Sequence, residues 1–104
     1  APYHVQVLAT GKDDAVFSTA AALAGDLDAA GFEVLYDDRR RVSAGVKFAD
    51  SELLGVPFGV VVGRGLAEGR VEIRDRAGET IEAPIEQVRE RVGELVRSAL
   101  SAQS

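Results

Sequence analysis

Between Gly55 and Gly63 the run Val56-Pro57-Phe58-Gly59-Val60-Val61-Val62 carries no charged or polar side chain. A strand that is apolar on both of its faces reads as a buried strand of a parallel sheet, because only there do helices cover it from above and below. The rest of the chain then has to supply the crossovers that such a sheet requires.

The upstream segments have that pattern. Tyr3-His4-Val5-Gln6-Val7-Leu8 alternates and is rich in β-formers, so it reads as a first strand, closed by Thr10-Gly11. Asp13 and Asp14 bring helix-start chemistry, and Val16, Ala20, Leu23, Leu27 and Ala30 then recur at helical spacing until Gly31 closes the helix. Phe32 to Tyr36 is a second short strand, whose carboxyl end delivers Asp37, Asp38 and Arg39 into a loop. From Gly45 the period changes again. Val46, Ala49 and Leu53 share a helical face, expected to be the inner one, and Gly55 ends the element. The order is βαβαβ, which predicts right-handed crossovers and a parallel sheet.

Downstream the pattern differs. Arg70-Val71-Glu72-Ile73-Arg74 alternates polar and apolar, and Ala77-Gly78 turns it into Thr80-Ile81-Glu82, which predicts added strands, at least one antiparallel and exposed on one face. Pro84 suits a first helical turn, and Ile85, Val88, Val92, Leu95, Val96 and Ala99 mark a last amphipathic helix before a frayed tail at residues 101–104.

At 104 residues the chain is long enough for one domain with a real core, expected here over residues 1–104. Neither the apolar run at 56–62 nor Ala20-Ala21-Ala22-Leu23-Ala24 is nearly long enough to span a bilayer, and no signal peptide opens the chain, so no membrane partner is expected. With no cysteine and His4 as the only histidine, there is almost nothing from which to build a thiolate or zinc site or a Ser-His-Asp triad. No metal ligand and no catalytic residue is expected. The absence of methionine, together with a strand-like run that starts at Tyr3, reads as a fragment cut from something larger, although processing of an intact small protein would look the same.

Net charge is −5, which argues against a general nucleic-acid binder that neutralises phosphates along a duplex. The charge is uneven, however. Residues 1–35 carry one basic and five acidic groups, whereas Arg39, Arg40, Arg41 and Lys47 follow one another with no acid between them. A local basic patch on an acidic body suits a specific contact.

Several motifs have competing readings. Gly63-Arg64-Gly65-Leu66-Ala67-Glu68-Gly69 resembles a phosphate loop at a glance, but its third glycine is misplaced and a strand follows where a dinucleotide site needs a helix. It reads as a flexible connection between strands, with Arg64 free to point at a ligand. Asp37 and Asp38 could serve a small phosphate- or nucleotide-binding α/β protein. The acidic pocket of phospho-acceptor domains nevertheless needs further acids where this chain has Thr10-Gly11 and Gly63-Arg64, and either aspartate can equally cap a turn or pair with Arg39. The arginine run alone is a solvated surface feature. His4 reads as a satisfied strand residue, and Tyr3 and Tyr36 as aromatics at the core edge. Phe48 lies off the Val46 face, where its ring could stack on an unpaired base or pack under the preceding loop.

Val34-Leu35-Tyr36-Asp37-Asp38-Arg39, then Gly45-Val46-Lys47-Phe48-Ala49-Asp50-Ser51-Glu52-Leu53-Leu54-Gly55-Val56-Pro57, resembles the anticodon-binding domain of class II aminoacyl-tRNA synthetases, in the form found in prolyl-tRNA synthetases of the bacterial type. The resemblance resumes in Val61-Val62-Gly63-Arg64-Gly65-Leu66-Ala67-Glu68-Gly69 and Val71-Glu72-Ile73-Arg74-Asp75-Arg76, and so covers almost the whole chain. Threonine-, histidine- and glycine-specific relatives share the fold and part of the pattern, but Gly-Val-Lys-Phe-Ala-Asp-x-Glu-Leu looks like the proline form. Ala44 departs from it, since many members place proline before that glycine, and this puts no functional residue in doubt.

The resemblance implies an α/β fold, a three-layer α/β/α arrangement around a five-stranded mixed sheet that is mostly parallel with one antiparallel strand. It implies a noncatalytic module that docks on the anticodon loop of tRNA(Pro). ATP and Mg would belong to the catalytic domain of a longer, cytoplasmic, homodimeric ligase, with no cofactor in this domain. Proline anticodons carry two adjacent guanines, and a guanine Watson–Crick edge offers N1–H and N2–H₂ donors beside an O6 acceptor. A reader of that edge needs carboxylates for the donors, lysine or arginine for O6, and a flat surface for stacking. Asp37, Asp38 and Glu52 fit the first task, Arg39 and Lys47 the second, and Phe48 the third, with Arg64 on the backbone. By resemblance, Lys47 and Glu52 contact the bases.

Overall fold

The computed structural model describes residues 4–10, 13–37, 46, 49, 53, 55–75 and 79–103. Five strands, β1 (Val5–Ala9), β2 (Val34–Asp37), β3 (Phe58–Val62), β4 (Arg70–Arg74) and β5 (Thr80–Pro84), form one sheet in the order β2-β1-β3-β4-β5. α1 (Asp14–Ala29) joins β1 to β2. A short 3-10 helix η1 (Arg64–Glu68) joins β3 to β4, and a second, η2 (Ile85–Gln87), leads from β5 into α2 (Val88–Gln103).

β1 pairs in parallel with β2, from Val5↔Val34 to Leu8↔Asp37, and with β3, from Val5↔Phe58 to Ala9↔Val62. β4 runs antiparallel to β3, and β5 antiparallel to β4, so β4 alone opposes the other four. The apolar run between Gly55 and Gly63 is the middle strand of this sheet, and every residue of β1 and β3 is buried, as strands covered on two faces must be.

α1 starts where Asp13 caps it, its side chain accepting a hydrogen bond from the Ala15 N–H at 3.0 Å. It ends in a positive-φ backbone that favours glycine: Gly31 has φ +99°, its N–H donates to the Asp28 carbonyl, and the Phe32 N–H reaches back to the Leu27 carbonyl. Val16, Ala20, Leu23 and Leu27 are buried as their spacing predicts, joined by Phe17 and Ala24. Ala30 caps the end of the helix and is exposed.

The two long helices cover one face of the sheet. Val5, Val7, Ala9, Phe58, Val60, Val62, Val71, Ile73 and Ala83 point there and pack with Leu23, Leu27, Val88, Val92 and Val96 into one core. Each fully buried aliphatic side chain contributes about 1.5–3 kcal/mol relative to exposure. β2 and β3 lie on opposite sides of β1, so right-handed crossovers put the β1–β2 and β2–β3 connections on opposite faces. Gln6, Leu8, Asp37 and Val61, whose registers place them on the second face, are buried.

Val46, Ala49 and Leu53, in the β2–β3 connection, are helical. Their expected orientation is corrected: Val46 is 48% and Leu53 86% exposed, and Ala49 is exposed too. Helical spacing shows which residues share a stripe but not which stripe turns inward, and this one faces out.

Candidate nucleic-acid interface

Because β1, β2 and β3 are parallel and in register, their carboxyl ends arrive together on one rim of the sheet. Asp37 ends β2 beside Leu8, Thr10 follows β1, and Gly63 follows β3. Loops that follow parallel strands form the ligand-facing edge of an α/β sheet. The segment between β2 and β3, with most of the charged candidates, leaves this rim after Asp37 and rejoins the sheet at its opposite end, where Phe58 opens β3 beside Val5.

Of the residues singled out in the sequence, the structure brings two elements together here. Asp37 is the last residue of β2 and only 7% exposed, so its carboxylate belongs to the floor of the rim rather than to its surface. Arg64 opens η1 at the end of β3, and its side chain is outside the described atoms. Asp38, Arg39, Lys47, Phe48 and Glu52 lie outside the described residues.

The Gly63–Gly69 stretch, expected as a flexible connection, is instead a hydrogen-bonded turn. The Leu66 N–H donates to the Gly63 carbonyl at 3.0 Å and the Gly69 N–H to the Leu66 carbonyl at 2.9 Å. Gly69 closes it with φ +72° and passes directly into β4, so no helix N-terminus follows for a pyrophosphate to sit on. The Gly69 carbonyl then accepts from the Ile85 N–H at 2.9 Å, which ties the turn to the start of η2.

Thr10 was not singled out in the sequence, yet its N–H and its hydroxyl both donate to the Val62 carbonyl, at 3.0 and 3.3 Å. Nothing local marks it, because its partner lies 52 residues away. Gln6 is another such residue: it is 1% exposed at the centre of the second face, and its Oε1 accepts no hydrogen bond among the described residues. Beyond β3 that face becomes charged, with Arg70, Glu72 and Arg74 on β4 and Glu82 on β5, where Arg70 pairs with Glu82 at 3.4 Å across half-exposed side chains.

His4 is satisfied, as expected. Its Nδ1 accepts from the Glu33 N–H at 3.1 Å, and its ring meets Phe32 edge-on. The Tyr36 hydroxyl donates to the Phe17 carbonyl at 3.2 Å at the edge of the core. On the helical face, a groove of about 880 Å³ runs between α1 and α2 over Leu27, Phe32 and Ile85, with Asp26, Arg89 and Arg97 along it, and none of the rim residues lines it. Among the described residues no three acidic or histidine side chains are grouped to hold a metal ion, and no helix is long and apolar enough to cross a membrane.

The chain belongs to the anticodon binding domain family, whose model matches residues 4–95. It is 55% identical over 98 residues to a proline–tRNA ligase of Kineococcus radiotolerans, an alignment that takes in 93% of this chain and 17% of that enzyme. Proline–tRNA ligases of Nocardioides sp. and Corynebacterium glutamicum are 52% and 50% identical over 99 residues, covering 94% and 95% of the chain. The chain spans about a sixth of the length of these relatives, 17% in each.

Proposed function

We propose that this chain is the single anticodon-recognition domain of a proline–tRNA ligase and that it reads the adjacent guanines of tRNA(Pro). The observation that carries this reading is the rim, where three parallel strands end side by side and from which the segment holding the acids and bases suited to a guanine edge departs after Asp37. The high identity to proline–tRNA ligases across nearly the whole chain supports the proline form over the threonine, histidine and glycine forms.

In this reading Lys47 donates to guanine O6 and Glu52 accepts from the N1–H and N2–H₂ donors. Phe48 stacks on a base, Arg39 contacts base or phosphate, and Arg64 contacts the backbone. Asp38 is a second acceptor at the surface, and Asp37 supports it from the floor of the rim. The domain itself carries out no chemistry. ATP-dependent aminoacylation, with its Mg, belongs to the catalytic domain of the longer enzyme, a cytoplasmic homodimer.

Titration with anticodon stem-loops that differ only at the two guanines tests this reading. The loop with both guanines binds more tightly, and Lys47→Ala weakens it by about 1–3 kcal/mol, the size of one good bidentate base contact, while leaving a loop without guanines unaffected. Equal binding of the two loops by the unaltered chain would overturn the reading. If the chain discriminates but Lys47→Ala has no effect, only the residue assignment fails.

A further inference from the structure

The end of β3 does not leave the sheet freely. Thr10 bonds twice to the Val62 carbonyl, and the residue after Val62 is a glycine whose missing side chain makes room for that same threonine. A Cβ added to Gly63 would overlap Thr10 Oγ1. Two residues on, a Cβ on Gly65 would come within 2.8 Å of the Arg70 carbonyl oxygen. The first turn of η1 is therefore wedged between the end of β1 and the start of β4, with no room for a methyl group at either position. The Gly63 carbonyl, held this way, is the acceptor for the Leu66 N–H that closes the turn.

The Thr10 hydroxyl acts here both as a donor to the end of β3 and as a spacer against Gly63. We propose that Thr10 is a positioning residue for RNA recognition: with Gly63 it forms a clasp that fixes where η1, and with it Arg64, stands on the ligand-facing rim. The proposal rests on the anticodon reading above. A binding constellation has to be held within about half an ångström of its productive geometry, so a small shift of η1 is enough to weaken a contact made from it.

The test uses three replacements of Thr10 in the 104-residue chain. Thr10→Ser keeps the hydroxyl, Thr10→Ala removes it, and Thr10→Val puts a larger methyl group against Gly63 with no donor. Two quantities are read for each: the affinity for a stem-loop with two adjacent guanines and for one with them replaced, since a backbone contact acts on both, and amide hydrogen exchange at Leu66 and Gly69. Thr10→Ser should match the unaltered chain. Thr10→Ala should lower both affinities about threefold and Thr10→Val about tenfold, near 1.4 kcal/mol for the latter. Exchange at both amides should rise in the same order.

A threonine that only stabilises the fold would lower the melting temperature without changing the affinities of the folded chain, and that result overturns the proposal. So does unchanged exchange at Leu66 and Gly69 in Thr10→Val, or a Thr10→Ser variant as impaired as Thr10→Val. An unaltered chain with no preference between the two stem-loops would count against the anticodon reading, while the exchange measurement would still decide whether the clasp exists.

Discussion

The two faces of the sheet are built differently. Toward α1 and α2 the surface stays apolar from β1 to β5, through Val5, Val7, Val60, Ile73 and Ala83, and it belongs to one core. On the other side, Leu8 and Val61 are buried over β1 and β3, Gln6 is buried with its Oε1 unpaired among the described residues, and β4 presents Arg70, Glu72 and Arg74. The first face has only to be covered, and apolar side chains in register accomplish that. The second is not apolar throughout, since it holds buried Gln6 and Asp37 and a row of charged residues on β4.

This contrast predicts how substitutions divide. The largest effect belongs to the helical face: Leu27→Ala, which truncates a side chain with no solvent exposure, should lower the unfolding free energy by about 3 kcal/mol in a denaturant titration. Gln6→Leu, at the centre of the second face, should raise stability by about 1 kcal/mol, because the unpaired carbonyl is replaced by a group of similar volume. A loss of stability there would mean that the amide is satisfied and would weaken the contrast. The smallest effect is at Arg70 and Glu82. Glu82→Gln should change stability by less than about 0.5 kcal/mol, and high salt should abolish even that.

Most of the fold could be read from residue order. Strands β1 and β3, the capped helix α1 and the alternating β4 each satisfy a local rule about period or end chemistry, and the right-handed crossover then leaves few arrangements. Where the sequence misled, the cause was information that local pattern does not contain. The spacing of Val46, Ala49 and Leu53 shows that they share a stripe, but only the rest of the fold decides that Leu53 faces out. The glycines at 63 and 65 look like flexibility in one dimension. In three they are demands for space, set by Thr10 and Arg70 from other strands. At the candidate site, residue chemistry pointed to the rim and the parallel register supports that position for Asp37 and Gly63, whereas the 7% exposure of Asp37 was not visible in its type.

The position of β1 also bears on how the chain reaches its folded state. It is the first strand in sequence, yet it sits between β2 and β3, and its second partner is complete only at Val62. During synthesis the side of β1 that takes β3 therefore stays unpaired until the residues up to Val62 have emerged. Such pairing between distant segments is slow and open to mispairing with other chains. The rim forms only when that wait ends, so a nascent chain cannot hold this surface together before the sheet has closed around its first strand.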